Sequence, residues 1–176
     1  MRPGPILVQS QEYQLTYGEA YQAFYLLAKV GGKRLRLVIL VILILLGAAL
    51  TVGYALRPLR LDFQLMAVLC VITFLAVVVA PGWKAKRGAK AVERTGGFYR
   101  LGLGENFLVS PDGQWQPLVG DKWSKAFETK ELFVLRPSRT QTFCLPKRIL
   151  KHDQISQIRH ILSGAVKNFI KLEDKI

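Results

Sequence analysis

The chain has 176 residues, 51% of them hydrophobic, with 25 Lys and Arg against 12 Asp and Glu and a net charge of +13. A mean hydropathy of +0.23 is high for a soluble protein and points to membrane-embedded segments. Two cysteines cannot make a disulfide framework for a chain of this length, which favours a reducing, cytoplasmic setting.

Read from the start, residues 6–15 (ILVQSQEYQL) form a strand-like run. Thr16 then opens T-Y-G-E, a capping box closed by Glu19. Beyond it Ala20, Tyr21, Phe24, Leu27 and Ala28 fall on one helical face, predicting a short amphipathic helix that ends near Gly31-Gly32. A lone strand does not stay ordered outside a sheet, so residues 6–15 are expected to pair with the C-terminal part of the chain. These mostly polar residues do not resemble a secretory signal.

From Leu37 to Leu56 the sequence carries no charge, and a helix of that length is about 30 Å long, the thickness of a bilayer's hydrocarbon core. A second uncharged run extends from Phe63 to Trp83, where Pro81 and Gly82 are expected to stop the helix. The link Arg57-Pro-Leu-Arg-Leu-Asp62 is too short to recross a membrane, so the two spans predict an antiparallel hairpin. Lys29, Lys33, Arg34 and Arg36 precede it, and Lys84, Lys86, Arg87, Lys90 and Arg94 follow it. The positive-inside rule then places both termini in the cytoplasm and the link outside, with Lys84, Lys86, Arg87 and Lys90 as basic groups at the membrane surface. No ionisable residue interrupts either run, which argues against a pump or secondary transporter. Gly47, Ala48, Ala49 and Gly53 allow close helix contact, either within the hairpin or in a homo-oligomer.

Lys84–Arg94 is a basic stretch that extends the second helix until Gly96-Gly97. Short strand-like runs follow at 98–104, 106–110, 114–119, 122–129, 131–136 and 140–145, with Pro111-Asp-Gly113 as a turn. Trp115 and Trp123 are expected in the core, as are Phe133 and Phe143. Ile155, Ile158, Leu162, Ala165, Phe169 and Leu172 then recur every three or four residues, predicting one closing amphipathic helix that starts near Asp153. The fold expected is α+β: residues 1–34 an N-terminal strand and helix, 35–83 a two-span hairpin, 84–95 a basic linker, and 96–176 a small antiparallel β roll closed by a C-terminal helix.

Trp123-Ser-Lys-Ala-Phe-Glu-Thr, then Glu131-Leu-Phe-Val-Leu, then Phe143-Cys-Leu-Pro-Lys-Arg-Ile-Leu and the terminal helix resemble the YcxB-like domain of bacterial membrane proteins. The matching positions are Trp123, Glu128, Pro146, Lys147 and Arg148. The resemblance implies a cytoplasmic domain similar to pleckstrin-homology (PH) domains, two membrane spans upstream, and no defined activity. Trp115 and the helix beyond Gly164 are not carried over from that family.

Catalytic constellations are missing from the sequence. His152 and His160 stand on a helix without cysteines at ligand spacing, so no metal is expected. Gly102-x-Gly104 lacks the third glycine of a dinucleotide loop, and neither a P-loop nor a GxSxG elbow occurs, so no cofactor is expected. Glu128 and Glu131 are spaced poorly for acid–base work. Beyond residue 94 the chain holds 13 cations against 8 anions. Trp115 and Trp123 with nearby lysines read better as core and solvated face than as a nucleic-acid surface. Lys147 and Arg148 follow Pro146 where the chain must turn, and are either a contact for a lipid head group or acidic partner, or a charged loop beside the membrane. The functional expectation is a non-catalytic, membrane-anchored interaction module for a protein partner or anionic lipid. A membrane-embedded immunity protein that neutralises a bacterial toxin is the alternative.

Overall fold

The computed structural model describes residues 4–56, 61–119, 124–138 and 140–172, so most of the interspan link and Trp123 lie outside the described residues. The chain forms two compact units, one of residues 24–89 and one of residues 1–23 with 90–176.

Apart from Gly32, the described residues of the first unit are helical. Helix α1 (Tyr17–Gly31) begins in the other unit, α2 covers Lys33–Leu56 and α3 covers Leu61–Thr95. Helices α2 and α3 are long and apolar enough to cross a membrane, and their apolar stretches are almost wholly exposed. The expected stop at Pro81 and Gly82 does not occur: α3 runs through both to Thr95, about 52 Å in all. Proline forfeits one hydrogen bond, but the following Lys84–Thr95 stretch is rich in good helix formers that carry the helix on. It ends where Gly96 takes a φ of +56°, the left-handed geometry that closes many helices. Ala85 and Ala89 are fully buried on α3, and the Phe24 ring lies so close to Gly88 that an added Cβ would sit 2.8 Å from it. Lys84, Lys86, Arg87 and Lys90 project from the exposed side, with the Arg87 guanidinium 4.4 Å from the centre of the Trp83 ring.

The other unit holds two four-stranded sheets. The first has the order β1 (Ile6–Gln9), β2 (Gly102–Gly104), β3 (Phe107–Val109) and β4 (Trp115–Pro117). The second is built from β5 (Lys125–Glu128), β6 (Leu132–Arg136), β7 (Phe143–Pro146) and β8 (Phe169–Lys171) in the order β7-β6-β5-β8. Strand β1 pairs antiparallel with β2, Val8 opposite Leu103, and Tyr13 bridges to Tyr99 further along. The N-terminal run thus joins the sheet on the far side of the helical segment in sequence, though as a strand it is shorter than residues 6–15.

Helix α4 spans His152–Ala165, not the longer range its periodicity suggests. Phe169 does reach the core, but from β8, which pairs parallel with β5 in the register Ala126 opposite Phe169. The fold is therefore α+β and mostly antiparallel, with one parallel edge. One core joins both sheets and α4: Val8, Leu103 and Leu108 meet Phe133, Leu135, Leu145, Ile158 and Leu162. Phe133 is fully buried, and Phe143 is partly buried against the same cluster. Trp115 is not a core residue. It is 46% exposed on the outer face of the first sheet, its ring centre 4.5 Å from that of Phe107. In register it pairs with Val109, whose neighbours Leu108 and Gln116 face inward.

Candidate functional site

Glu128 is the central group. It ends β5 on the same face as Ala126 and opposite Phe133, and is 5% exposed. A carboxylate in that position needs partners, and two cations supply them. Arg159 of α4 grips it in a fork, Nη2 donating to Oε1 at 2.6 Å and Nε to Oε2 at 3.0 Å. Lys147, the first residue after β7, donates from Nζ to Oε1 at 2.8 Å. Its ammonium also lies 4.9 Å from the centre of the Phe133 ring. Burial alone would raise the Glu128 carboxyl, but the hydrogen bonds and charges of Arg159 and Lys147 outweigh it and hold it down to about 2.

The β5–β6 turn, the residue after β7, helix α4 and strand β8 meet around this group. The backbone of Thr129 donates to Leu132 O at 2.9 Å and sets the β5–β6 turn that carries Lys130. Lys147 N donates to Glu131 O at 2.7 Å, and Leu172 N donates to Glu128 O at 2.8 Å, which anchors β8 and Lys171 alongside. Together Glu128, Thr129, Lys130, Lys147, Arg159 and Lys171 line a cavity of about 310 Å³, with Leu172 beside them. Among the described lining residues, four cations stand against one carboxylate.

Arg148 turns away from this cavity. Its Nε donates to Glu19 Oε1 at 2.7 Å and its Nη2 to Gln14 O at 2.8 Å. Glu19 is held by the expected capping box, accepting from Thr16 N at 2.9 Å while its own N–H donates to Thr16 Oγ1. Burial works against the charged form of Glu19, but the Arg148 and Thr16 bonds prevail and lower its carboxyl below the usual value. Adjacent residues 147 and 148 therefore tie two different carboxylates, one at the cavity and one at the start of α1. Because Arg148 is 51% exposed, a double-mutant cycle of Glu19→Ala with Arg148→Ala should give a coupling of only about 0.5–1 kcal/mol in thermal unfolding.

The other buried titratable groups are sealed. The Tyr13 hydroxyl donates to Cys144 O, and burial raises it far above its usual range. Burial likewise pushes the Cys144 thiol up to about 12, so it is not a nucleophile at neutral pH. His152 and His160 are exposed on α4.

Of the residues singled out from sequence, Lys147 reaches the cavity and Arg148 does not. Lys84, Lys86 and Arg87 lie along α3 in the helical unit, and Lys90 follows them on the same helix in the other unit. Lys130 stands out in the sequence only as one of the lysines near Trp115 and Trp123, and Arg159 and Lys171 had no sequence signal of their own. They converge only because β8 pairs with β5 and because α4 lays Arg159 over the end of β5. No family model, no curated protein and no solved structure matches the chain.

Proposed function

We propose that this chain is a bacterial inner-membrane protein whose two spans form a hairpin with both termini in the cytoplasm. In this reading it presents a non-catalytic, PH-like interaction domain of the YcxB-like kind to a protein partner or to anionic lipid. The observation that carries the reading is the unbroken helix α3, which leads from an apolar span through exposed Lys84, Lys86, Arg87 and Lys90 to the β domain. Twelve helical residues from Lys84 to Thr95 rise about 18 Å, so the point where the β domain attaches stays near the head groups. Each cation within a Debye length of an anionic leaflet adds about 1 kcal/mol of attraction.

A fluorescent protein fused to the C-terminus should glow, and alkaline phosphatase fused there should be inactive. Strong phosphatase activity would overturn the orientation. Full-length protein purified from mixed nanodiscs should retain phosphatidylglycerol in preference to phosphatidylcholine. Changing Lys84, Lys86, Arg87 and Lys90 together to Gln should remove most of that preference. An unchanged preference would exclude the basic stretch as a lipid contact.

A further inference from the structure

We propose that the cavity around Glu128 is a binding site for a phosphomonoester, a group shared by soluble phosphate esters and by lipids with a terminal phosphate. The inference rests on the reading of the β domain as a binding module, and it assigns that module a site and a ligand class.

Charge comes first. Lys130, Lys147 and Lys171 face one carboxylate among the described lining residues, an excess of two positive charges in about 310 Å³ before Arg159, which grips that carboxylate, is counted. Like charges gathered in a concavity repel one another, and the repulsion is relieved by an anion of matching charge. A phosphomonoester near neutral pH carries close to two negative charges and three strong acceptor oxygens. A phosphodiester carries one charge and leaves more of the excess uncompensated.

Geometry agrees. The side chains come from four separate places, the β5–β6 turn, the residue after β7, helix α4 and strand β8, so the cluster is not a run of surface lysines on one element. Glu128 is already engaged by the fork of Arg159 and by one of the three donors of Lys147, and this fixes both cations at the cavity wall. Lys130 and Lys171 stand exposed at the rim, where an incoming anion meets them first. The volume sits at the lower end of the range for small-ligand pockets, which suits a phosphate ester or a compact head group better than a large molecule.

The full chain in neutral phosphatidylcholine nanodiscs should bind glycerol 3-phosphate in a calorimetric titration. Lys130→Gln with Lys171→Gln should weaken that binding by about tenfold or more, the scale of lost charge-assisted contacts. Lys151→Gln with Lys167→Gln removes the same charge away from the cavity and should leave binding within about twofold. In discs doped with phosphatidic acid the soluble ester should no longer bind if the lipid is the natural source, and should bind as before if a soluble ester is. No binding in neutral discs together with no selective retention of phosphatidic acid would overturn the proposal. So would equal losses in both double variants, which would mean diffuse charge. Binding seen only after Glu173→Ala with Asp174→Ala would mean that the chain's own carboxylates neutralise the cavity, and would overturn it too. Retention of phosphatidic acid and phosphatidylglycerol alike, insensitive to Lys130 and Lys171, would sink the cavity while leaving the membrane-surface reading intact.

Discussion

Alanine in place of Phe133 should destabilise the β domain by about 3–5 kcal/mol, among the largest single-residue losses expected in this chain. The ring is fully buried, paired in register with Leu145 on one side and Glu128 on the other, and it sits in the core shared by both sheets and α4. Truncation leaves a void between elements that cannot collapse independently. It also removes the aromatic face beneath the Lys147 ammonium. Full-length protein in nanodiscs, melted while tryptophan fluorescence is followed, should show a domain transition lower by ten degrees or more, taking about 4 °C or more per kcal/mol for a domain of this size. Phe143→Ala, at a partly buried position, should cost less than half as much. Equal shifts for the two would contradict the placement of Phe133 at the centre.

Glu128→Gln should cost about 2–3 kcal/mol, because it leaves Lys147 and Arg159 side by side without their counter-charge while hardly changing volume. The same carboxylate should make the domain acid-sensitive. Its folded-state value, about 2, lies below its ordinary value of 4.5, so its contribution is complete above that ordinary value and falls away as pH drops toward 2. A shift of that size corresponds to about 3 kcal/mol. Glu19, also lowered, acts in the same direction. Stability measured from about pH 6 down to about pH 2.5 should therefore fall steeply in the wild type, less so in Glu128→Gln, and least in the double variant with Glu19→Gln. Identical pH profiles for wild type and Glu128→Gln would show that the ion-pair cluster does not hold Glu128 charged.

The two long helices were legible because twenty uncharged residues in a row leave few other structures open. Thr16 and Glu19 were legible because a capping box is a local device, complete within four residues. Most strands could be located but not their lengths, since Leu101 and Ser110 share the character of the strands they flank. Where the sequence misled at the C-terminal end, long-range pairing was the cause. Phe169 keeps the helical period of α4 yet belongs to β8, and only its register against Ala126 shows this. Pro81 reads as a stop, but the helix formers beyond it matter more. Trp115 was expected inside on grounds of size and stands outside because the pleat of β4 gives the inward place to Gln116. At the cavity, Lys147 alone of the four cations reads from the sequence as an anion contact. Arg159 looks like any polar residue on an amphipathic helix until α4 is placed over the end of β5.

The pairing of β1 with β2 sets a parity rule. Hydrogen bonds join residues 6–9 to residues 102–104, so both segments must end on the same side of any bilayer the chain enters. Between them the chain can cross only an even number of times: α2 and α3 both span, or neither does. A variant in which one helix fails to insert is left with a first sheet that cannot form, its edge at β2 open to other chains. During synthesis β1 emerges some ninety residues before its partner and has nothing to pair with until both helices have been made. The sheet thus closes only when α2 and α3 share one fate, both across a bilayer or both outside it.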